Sequence, residues 1–356
     1  METQKKMFGQ LVIGPCGSGK STYCNGMSQL MREIKRDVAV VNLDPSNDSL
    51  VIDYDVDIRE LVKAEEAASE NDLGPNAVQI YCLDYLASNL DWLEGKLMNT
   101  SDRYILFDCP GQFELYTDSD SMKVIVDFLT RRMKMQLVSV TLIDCLMCVS
   151  AHAYVSAVML SLSMMINLEL PHVNILSKMD TMRNISPEMA FKLEYYLKAG
   201  EGDLESLVQH IFQSNQAENQ EPHPLDVTYA KFLRSISQVV EDFSLVGFVP
   251  LAIEDKDSAL HVLSVCDRAS GYSFSAQGFH LQDEAYKEDT EPATEYYTNF
   301  EEKFKEGPFC SSCGEDSLGK KLLACSACKT AQYCNRECQK ADWPIHKRIC
   351  TYQQQS

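Results

Sequence analysis

The stretch from Gly14 to Thr22, "GPCGSGKST", decides the fold. It satisfies G-x-x-x-x-G-K-[ST] and lies between an apolar run over 8–13 and a helical pattern over 21–35, the strand–loop–helix setting this motif requires. Glycines let successive main-chain N–H groups turn inward around phosphate oxygens, and the helix that follows adds the positive end of its dipole. Gly17, Ser18, Gly19, Lys20, Ser21 and Thr22 are therefore the candidate phosphate residues, with Lys20 reaching the β- and γ-phosphates and Ser21 binding Mg2+. The competing reading is a glycine-rich turn before an ordinary helix, and the flanking strand and helix weigh against it.

Working outward, short β-branched runs at 38–43, 103–107, 136–143, 172–176 and 245–251 alternate with helical patterns at 57–66, 78–97, 119–133 and 188–198. Nearly continuous apolar strands joined by helices predict an α/β fold of the P-loop NTPase type, a mostly parallel sheet flanked by helices on both faces. A Mg2+-nucleotide site also needs a carboxylate at a neighbouring strand end. "YILFDCPGQFEL" supplies Asp108, expected to hold Mg2+ through a water, with Pro110-Gly111-Gln112 forming a loop beside the γ-phosphate. "VNLDPS" sets Asp44 at the tip of another strand, either to bind a Mg2+-bound water or to orient the attacking one; Asp-Pro after a strand is also an ordinary turn.

"NILSKMD" closes a late strand with Ser177, Lys178, Met179 and Asp180. A carboxylate there accepts from the N1–H and exocyclic amine of guanine, whereas adenine N1 is itself an acceptor. The base is therefore read as guanine, and the ligand as GTP or GDP. "LGPNAV", residues 73–78, reads by itself only as a turn.

With 45% hydrophobic residues, the 356-residue chain can build a sizeable core and an appendage. A net charge of -20 argues against a general nucleic-acid binder. The apolar stretch 153–170 contains Ser, Asn and Glu169, so it reads as a core or dimer-surface helix, and neither a membrane span nor a signal peptide is expected. Seven cysteines (Cys16, Cys24, Cys82, Cys109, Cys145, Cys148 and Cys266) are scattered; seven more crowd the last fifty residues. This distribution predicts reduced thiols and a metal module in the cytosol or nucleus. Residues 281–306 carry nine acidic groups against three lysines and read as a solvated linker. The spacing then becomes C-x2-C-x11-C-x2-C-x5-C-x3-C-x7-H-x3-C over Cys310, Cys313, Cys325, Cys328, Cys334, Cys338, His346 and Cys350. Eight such ligands make two tetrahedral Zn2+ sites, and so small a segment with few aliphatics needs the metal to fold.

Taken in order, "GPCGSGKST", "VNLDPS", "GPN", "FDCPGQFELY" and "SKMD" resemble the GPN-loop GTPases over roughly residues 7–272, with "ELPHVNILSKMD" and "DFSLVGFVPL" closest to the second eukaryotic subgroup. The resemblance implies a dimer-activated GTPase, as a homodimer or as a heterodimer with another family member. It also implies a role in assembly and nuclear import of RNA polymerase II, with polymerase subunits or assembly factors as partners. Gly74, Pro75 and Asn76 would then form a loop that crosses the dimer interface, and Asn76 would act in trans with Asp44 and Gln112 as the catalytic set. Ala77 and Val78 depart from the glycine that commonly follows the motif. The ending "YCNRECQKADWPIHKRIC" resembles a MYND zinc finger. That likeness implies Cys310, Cys313, Cys334 and Cys338 on one ion, Cys325, Cys328, His346 and Cys350 on the other, and a peptide ligand. The expected layout is a GTPase domain at 1–272, an acidic linker at 273–308 and the finger at 309–352. The alternative is an adaptor that holds GTP without hydrolysing it. Either would be cytoplasmic, shuttling to the nucleus, with no direct contact to nucleic acid or membrane.

Overall fold

The structure, a computed structural model, describes residues 6–47, 52–182, 193–197, 246–272, 322–325 and 332–350, with isolated positions between them. Seven strands form one sheet: β1 (Phe8–Ile13), β2 (Val38–Asn42), β3 (Val56–Asp57), β4 (Tyr104–Asp108), β5 (Gln136–Asp144), β6 (His172–Ser177) and β7 (Phe248–Pro250). Their order is β3-β2-β4-β1-β5-β6-β7, with every pair parallel. The chain winds from central β1 toward one edge and later crosses to the other. Such a reversal opens a crevice at the carboxyl ends of the strands.

Two apolar layers sandwich the sheet because alternate strand residues face opposite sides. Val12 and Val140 meet α1 (Lys20–Glu33) and, far along the chain, a helix over Lys256–Ser270. α2 (Ala64–Asn71) comes next in the chain, and Leu11, Ile13 and Phe107 meet a second group of helices: α3 (Pro75–Ser88), α4 (Leu90–Met98), α5 (Glu114–Thr117), α6 (Asp120–Asp127) and α7 (Ala151–Leu168). From α3, α4, α6 and α7 this layer draws Leu83, Leu93, Ile125 and Met164. α2 is tied instead to α3 by a small cluster of Ala67, Val78 and Cys82. Each such fully buried aliphatic contributes about 1.5–3 kcal/mol. A short α8 (Leu193–Leu197) precedes β7, and the Lys256–Ser270 helix is α9.

Three expected helices are subdivided. The 57–66 pattern contains the end of β3, a 3-10 turn at Ile58–Glu60 and the start of α2. The 78–97 pattern starts earlier, at Pro75, whose locked φ suits the first helical position, and breaks at Asn89, whose side chain donates to Tyr85 O at 2.7 Å. The 119–133 pattern is α6 followed by a π-turn at Phe128–Arg132. The expected 188–198 helix is described only at α8. α7 buries Val155, Val158, Met164 and Leu168 and leaves Ile166 exposed, so packing explains most of its apolar residues.

One polar contact inside this unit stands out by its burial. The Arg36 guanidinium pairs with both carboxylate oxygens of Asp267 at 2.9 Å, and the rings of Tyr104 and Tyr272 lie 3.9 Å from it on centroid.

A second unit holds most of the C-terminal region. Its described elements are a two-residue antiparallel pair, β8 (Leu323–Ala324) with β9 (Gln332–Tyr333), and α10 (Arg336–Cys350).

Candidate functional site

The phosphate loop follows β1 and ends on Gly19, which caps α1 in the left-handed region at φ 94°. Gly14 is also required: a Cβ there would lie 2.3 Å from Leu142 O on β5. The Ser18 amide closes the turn on Pro15 O at 3.2 Å. Lys20 is buried, and its ammonium donates to Gly14 O and Pro15 O, both at 3.1 Å. Thr22, also on the first turn of α1, is exposed. The loop after β4 presses on this lysine, since a Cβ on Gly111 would come within 2.9 Å of Lys20 Nζ. Tyr116 pins the same loop by donating to Pro110 O at 2.5 Å. Gln112 follows, with a buried Oε1 that has no hydrogen-bond partner among the described residues.

Asp108 ends β4 at 1% exposure. Burial pushes its carboxyl above the usual carboxylate range, opposed by the hydroxyls of Ser21 and Tyr54. Oδ2 accepts from Tyr54 Oη at 2.9 Å and from Asn47 Nδ2 at 3.1 Å, whereas Oδ1 is buried without a partner among the described residues. Asn47 Nδ2 also lies 3.3 Å from Ser21 Oγ. Asp44 sits beyond β2, where Asn42 grips its main chain at 3.0 and 3.1 Å and the Ser46 amide donates to its Oδ1 at 2.9 Å.

β6 delivers the candidate base-reading run. Ser177 Oγ donates to Ser18 O at 2.8 Å and Ile143 O at 3.1 Å, so it ties this segment to the phosphate loop. Lys178 adopts φ 58°, passes its chain over Gly19 and pairs with Asp144 at 2.7 Å. Met179 is buried, and its amide donates to Leu251 O at 3.1 Å, which fastens the loop to the segment after β7. Asp180 is exposed.

In the second unit, Cys334 and Cys338 bring their sulfurs to 3.2 Å, and Asn335 caps α10 by accepting from the Cys338 amide at 2.8 Å. Cys325 and His346 are buried. Cys310, Cys313 and Cys328, expected as zinc ligands, lie outside the described residues, as does the side chain of Cys350.

The family described as "Conserved hypothetical ATP binding protein" matches residues 12–272, and the MYND finger family matches residues 310–350. The chain is 44% identical over 270 residues to the GPN-loop GTPase QQT1 of Arabidopsis thaliana, covering 76% of this chain and 87% of that one. It is 43% identical over 267 residues to the GPN-loop GTPase 2 of Danio rerio, covering 75% and 82%. The chain belongs to the GPN-loop GTPases. A GTPase from Pyrococcus abyssi solved in its apo form shares the fold at TM-score 0.57 and 20% identity, covering 74% of this chain and 97% of that one. The family description speaks of ATP and the named relatives of GTP; the Lys178-Met179-Asp180 run sides with GTP for the hydrogen-bonding reason given above.

In this GPN-loop GTPase the Gly-Pro-Asn run opens α3. Gly74 is extended at φ -72°, so the motif does not use a left-handed glycine, and Gly74, Pro75 and Asn76 are all exposed. Gln79, one turn on, donates to Ser46 Oγ at 3.2 Å and links this helix to the Asp44 loop. The Ser21 hydroxyl and the orphaned Asp108 oxygen are hard donors of the kind Mg2+ takes. Cys334 and Cys338 are soft thiol donors of the kind Zn2+ takes, and a tetrahedral ion about 2.3 Å from each would spread their sulfurs from 3.2 Å to about 3.8 Å. Among the described residues no group of three or more metal-ligating side chains is assembled, and none of the helices is long and apolar enough to cross a membrane.

Asn47, Tyr54 and Arg59 were not singled out by the sequence. Arg59 Nη1 donates to Asn47 O at 2.6 Å while its guanidinium pairs with Asp57. Nothing in their spacing marks them, because their contacts join β2, β3 and β4 across the sheet.

Proposed function

We propose that this chain is a Mg2+-dependent GTP-hydrolysing switch that works as a dimer, with a zinc-finger tail that recruits a peptide. The observation that carries the reading is the gathering of the phosphate loop, Asp108, the Pro110–Gln112 loop and the Ser177 tether at one end of the sheet. The loop amides and Lys20 stabilise charge on the transferring phosphoryl group. Ser21 and Asp108 hold Mg2+, which when bound neutralises the β- and γ-phosphate oxygens. Asp44, fixed by the Ser46 amide, and Gln112, with a spare buried acceptor, orient the attacking water. Asp180 reads the base. Asn76 of the partner subunit completes the site in trans; its exposure on the first turn of α3 supports this.

The dimer is a homodimer or a pairing with another GPN-loop GTPase, and its work is the assembly and nuclear import of RNA polymerase II, from a cytoplasmic location with shuttling. The motif resemblance supports this part of the reading, with the domain layout 1–272, 273–308 and 309–352. Two Zn2+ ions sit in the tail, by the pairing given above.

Single-turnover hydrolysis at dimer-forming concentration tests the core of the proposal. Wild type releases phosphate well above a Lys20→Ala baseline, and Asn76→Ala loses about 100-fold in rate, the scale of one transition-state donor, with GTP affinity unchanged within twofold. Equal loss in rate and affinity would remove Asn76 from the catalytic set. No release above the Lys20→Ala baseline would leave the adaptor reading standing. Pull-down of polymerase subunits by the full chain, lost in nucleotide-binding variants, tests the cellular role.

A further inference from the structure

We infer that Asn47 and Tyr54 are positioning residues that present a single oxygen of Asp108 to the magnesium ion. The inference rests on the reading of Ser21 and Asp108 as the Mg2+ residues. The two oxygens of Asp108 are treated differently by the protein. Oδ2 is occupied from two directions, by Tyr54 Oη at 2.9 Å and Asn47 Nδ2 at 3.1 Å. Oδ1 is equally removed from solvent yet has no hydrogen-bond partner among the described residues. Leaving a buried acceptor unmatched is costly, so an orphaned carboxylate oxygen at a nucleotide-loop mouth points to a cation or its water.

The geometry also explains why two donors are needed. Mg2+ requires near-octahedral geometry and takes carboxylates one oxygen at a time, whereas larger cations accept both oxygens. Holding Oδ2 in hydrogen bonds stops the carboxylate from rotating into a two-oxygen grip. The Asn47 amide does more than cap Asp108, because the same Nδ2 lies 3.3 Å from Ser21 Oγ and 2.7 Å from Tyr54 Oη. One side chain thus sets the separation of both proposed metal residues. Asn47 is itself held from behind: Arg59 donates to its carbonyl at 2.6 Å, Asp57 fixes the guanidinium, and Asn42 Nδ2 donates to Asp57 at 3.0 Å. Partners of metal ligands that are anchored in this way keep the first-layer group in place without touching the ion.

The test uses the full-length chain loaded with GDP and Mn2+ as the probe, with free ion followed by EPR, and separately measures GDP affinity in EDTA. Tyr54→Phe and Asn47→Ala are expected to bind GDP in EDTA within twofold of wild type. Their Mn2+ affinity in the GDP complex should fall about tenfold, the low end of the roughly 10- to 100-fold typical for such partners. Unchanged Mn2+ affinity overturns the inference. So does a fall in metal-free GDP affinity by the same factor, which would mark a merely structural role. Should Asn47→Ala fail to fold, Tyr54→Phe decides alone, since it removes one oxygen and keeps the ring. Asp108→Asn separates the metal role of Asp108 from the positioning by Asn47 and Tyr54. If it weakens Mn2+ binding while Tyr54→Phe does not, only the positioning pair is refuted. If Asp108→Asn leaves Mn2+ binding intact, the metal role of Asp108 fails and the inference falls with it.

Discussion

The sheet unit and the cysteine-rich unit keep water out by different means. In the first, strands of up to nine residues place hydrocarbon on both faces, and Leu11, Val12 and Ile13 of the central strand are fully buried. In the second, the described strands are two residues long, and its buried side chains include Cys325 and His346, which the spacing assigns to metal. One core is built from groups that water rejects, the other around groups that need an ion. A parallel sheet of this size folds from its own apolar area, whereas some forty residues with few aliphatics lack that area and draw folding energy from ligation.

That contrast can be broken most decisively by removing zinc. A zinc-selective chelator applied in excess Mg2+ should abolish the helical signal of α10, because structural zinc contributes on the order of 10 kcal/mol. GDP affinity should stay within twofold, and a nucleotide affinity that falls in step with zinc loss would end the distinction. The converse experiment acts on the sheet unit. Lys20→Ala should weaken GTP binding by about 3 kcal/mol, roughly 100-fold, since it deletes one member of a buried charge pair, and zinc content should not change.

A smaller effect separates the units by pH. Burial lowers the His172 pKa to about 4 from an ordinary 6.5, with Thr141 Oγ1 at 2.6 Å from its Nε2. The unfolded chain takes up this proton before the folded one does, so stability is full above pH 6.5 and declines as pH falls toward 4. Denaturant titration of the sheet unit at pH 7 and pH 5 should show a loss of about 2 kcal/mol. His172→Gln should lose less by that amount; an identical slope would mean that His172 is accessible to protons in the folded state. The smallest effect probes the tether between base and phosphate segments. Ser177→Ala should reduce GDP affinity by about 1 kcal/mol in calorimetry while the melting temperature barely moves. A large drop in melting temperature would make Ser177 a core residue first.

Much of the candidate nucleotide site was legible because it is local. "GPCGSGKST" carries its own strand, loop and helix, and Asp108 and Asp180 lie at strand ends that their apolar runs announce. Ser177 was read only as part of the base-reading run, yet its hydroxyl reaches Ser18 O, a bond between distant segments that its place in the sequence does not announce. Asn47 and Tyr54 were illegible for the opposite reason: a polar residue after a turn and a tyrosine seven positions on acquire meaning only when β2 and β4 pair. The break at Asn89 was hidden because apolar residues continue across it in helical phase. The start of α3 at Pro75 was signalled by proline itself, but the Gly-Pro-Asn run reads first as a reversal.

The Arg36–Asp267 pair fixes where the sheet unit can end. A shortened chain that stopped before Asp267 would take from the buried Arg36 guanidinium both the carboxylate it pairs with and the Tyr272 ring, at a penalty of about 3–5 kcal/mol. Premature termination between Asp180 and that carboxylate would thus damage the sheet unit from its far side, although none of the candidate nucleotide residues had been removed.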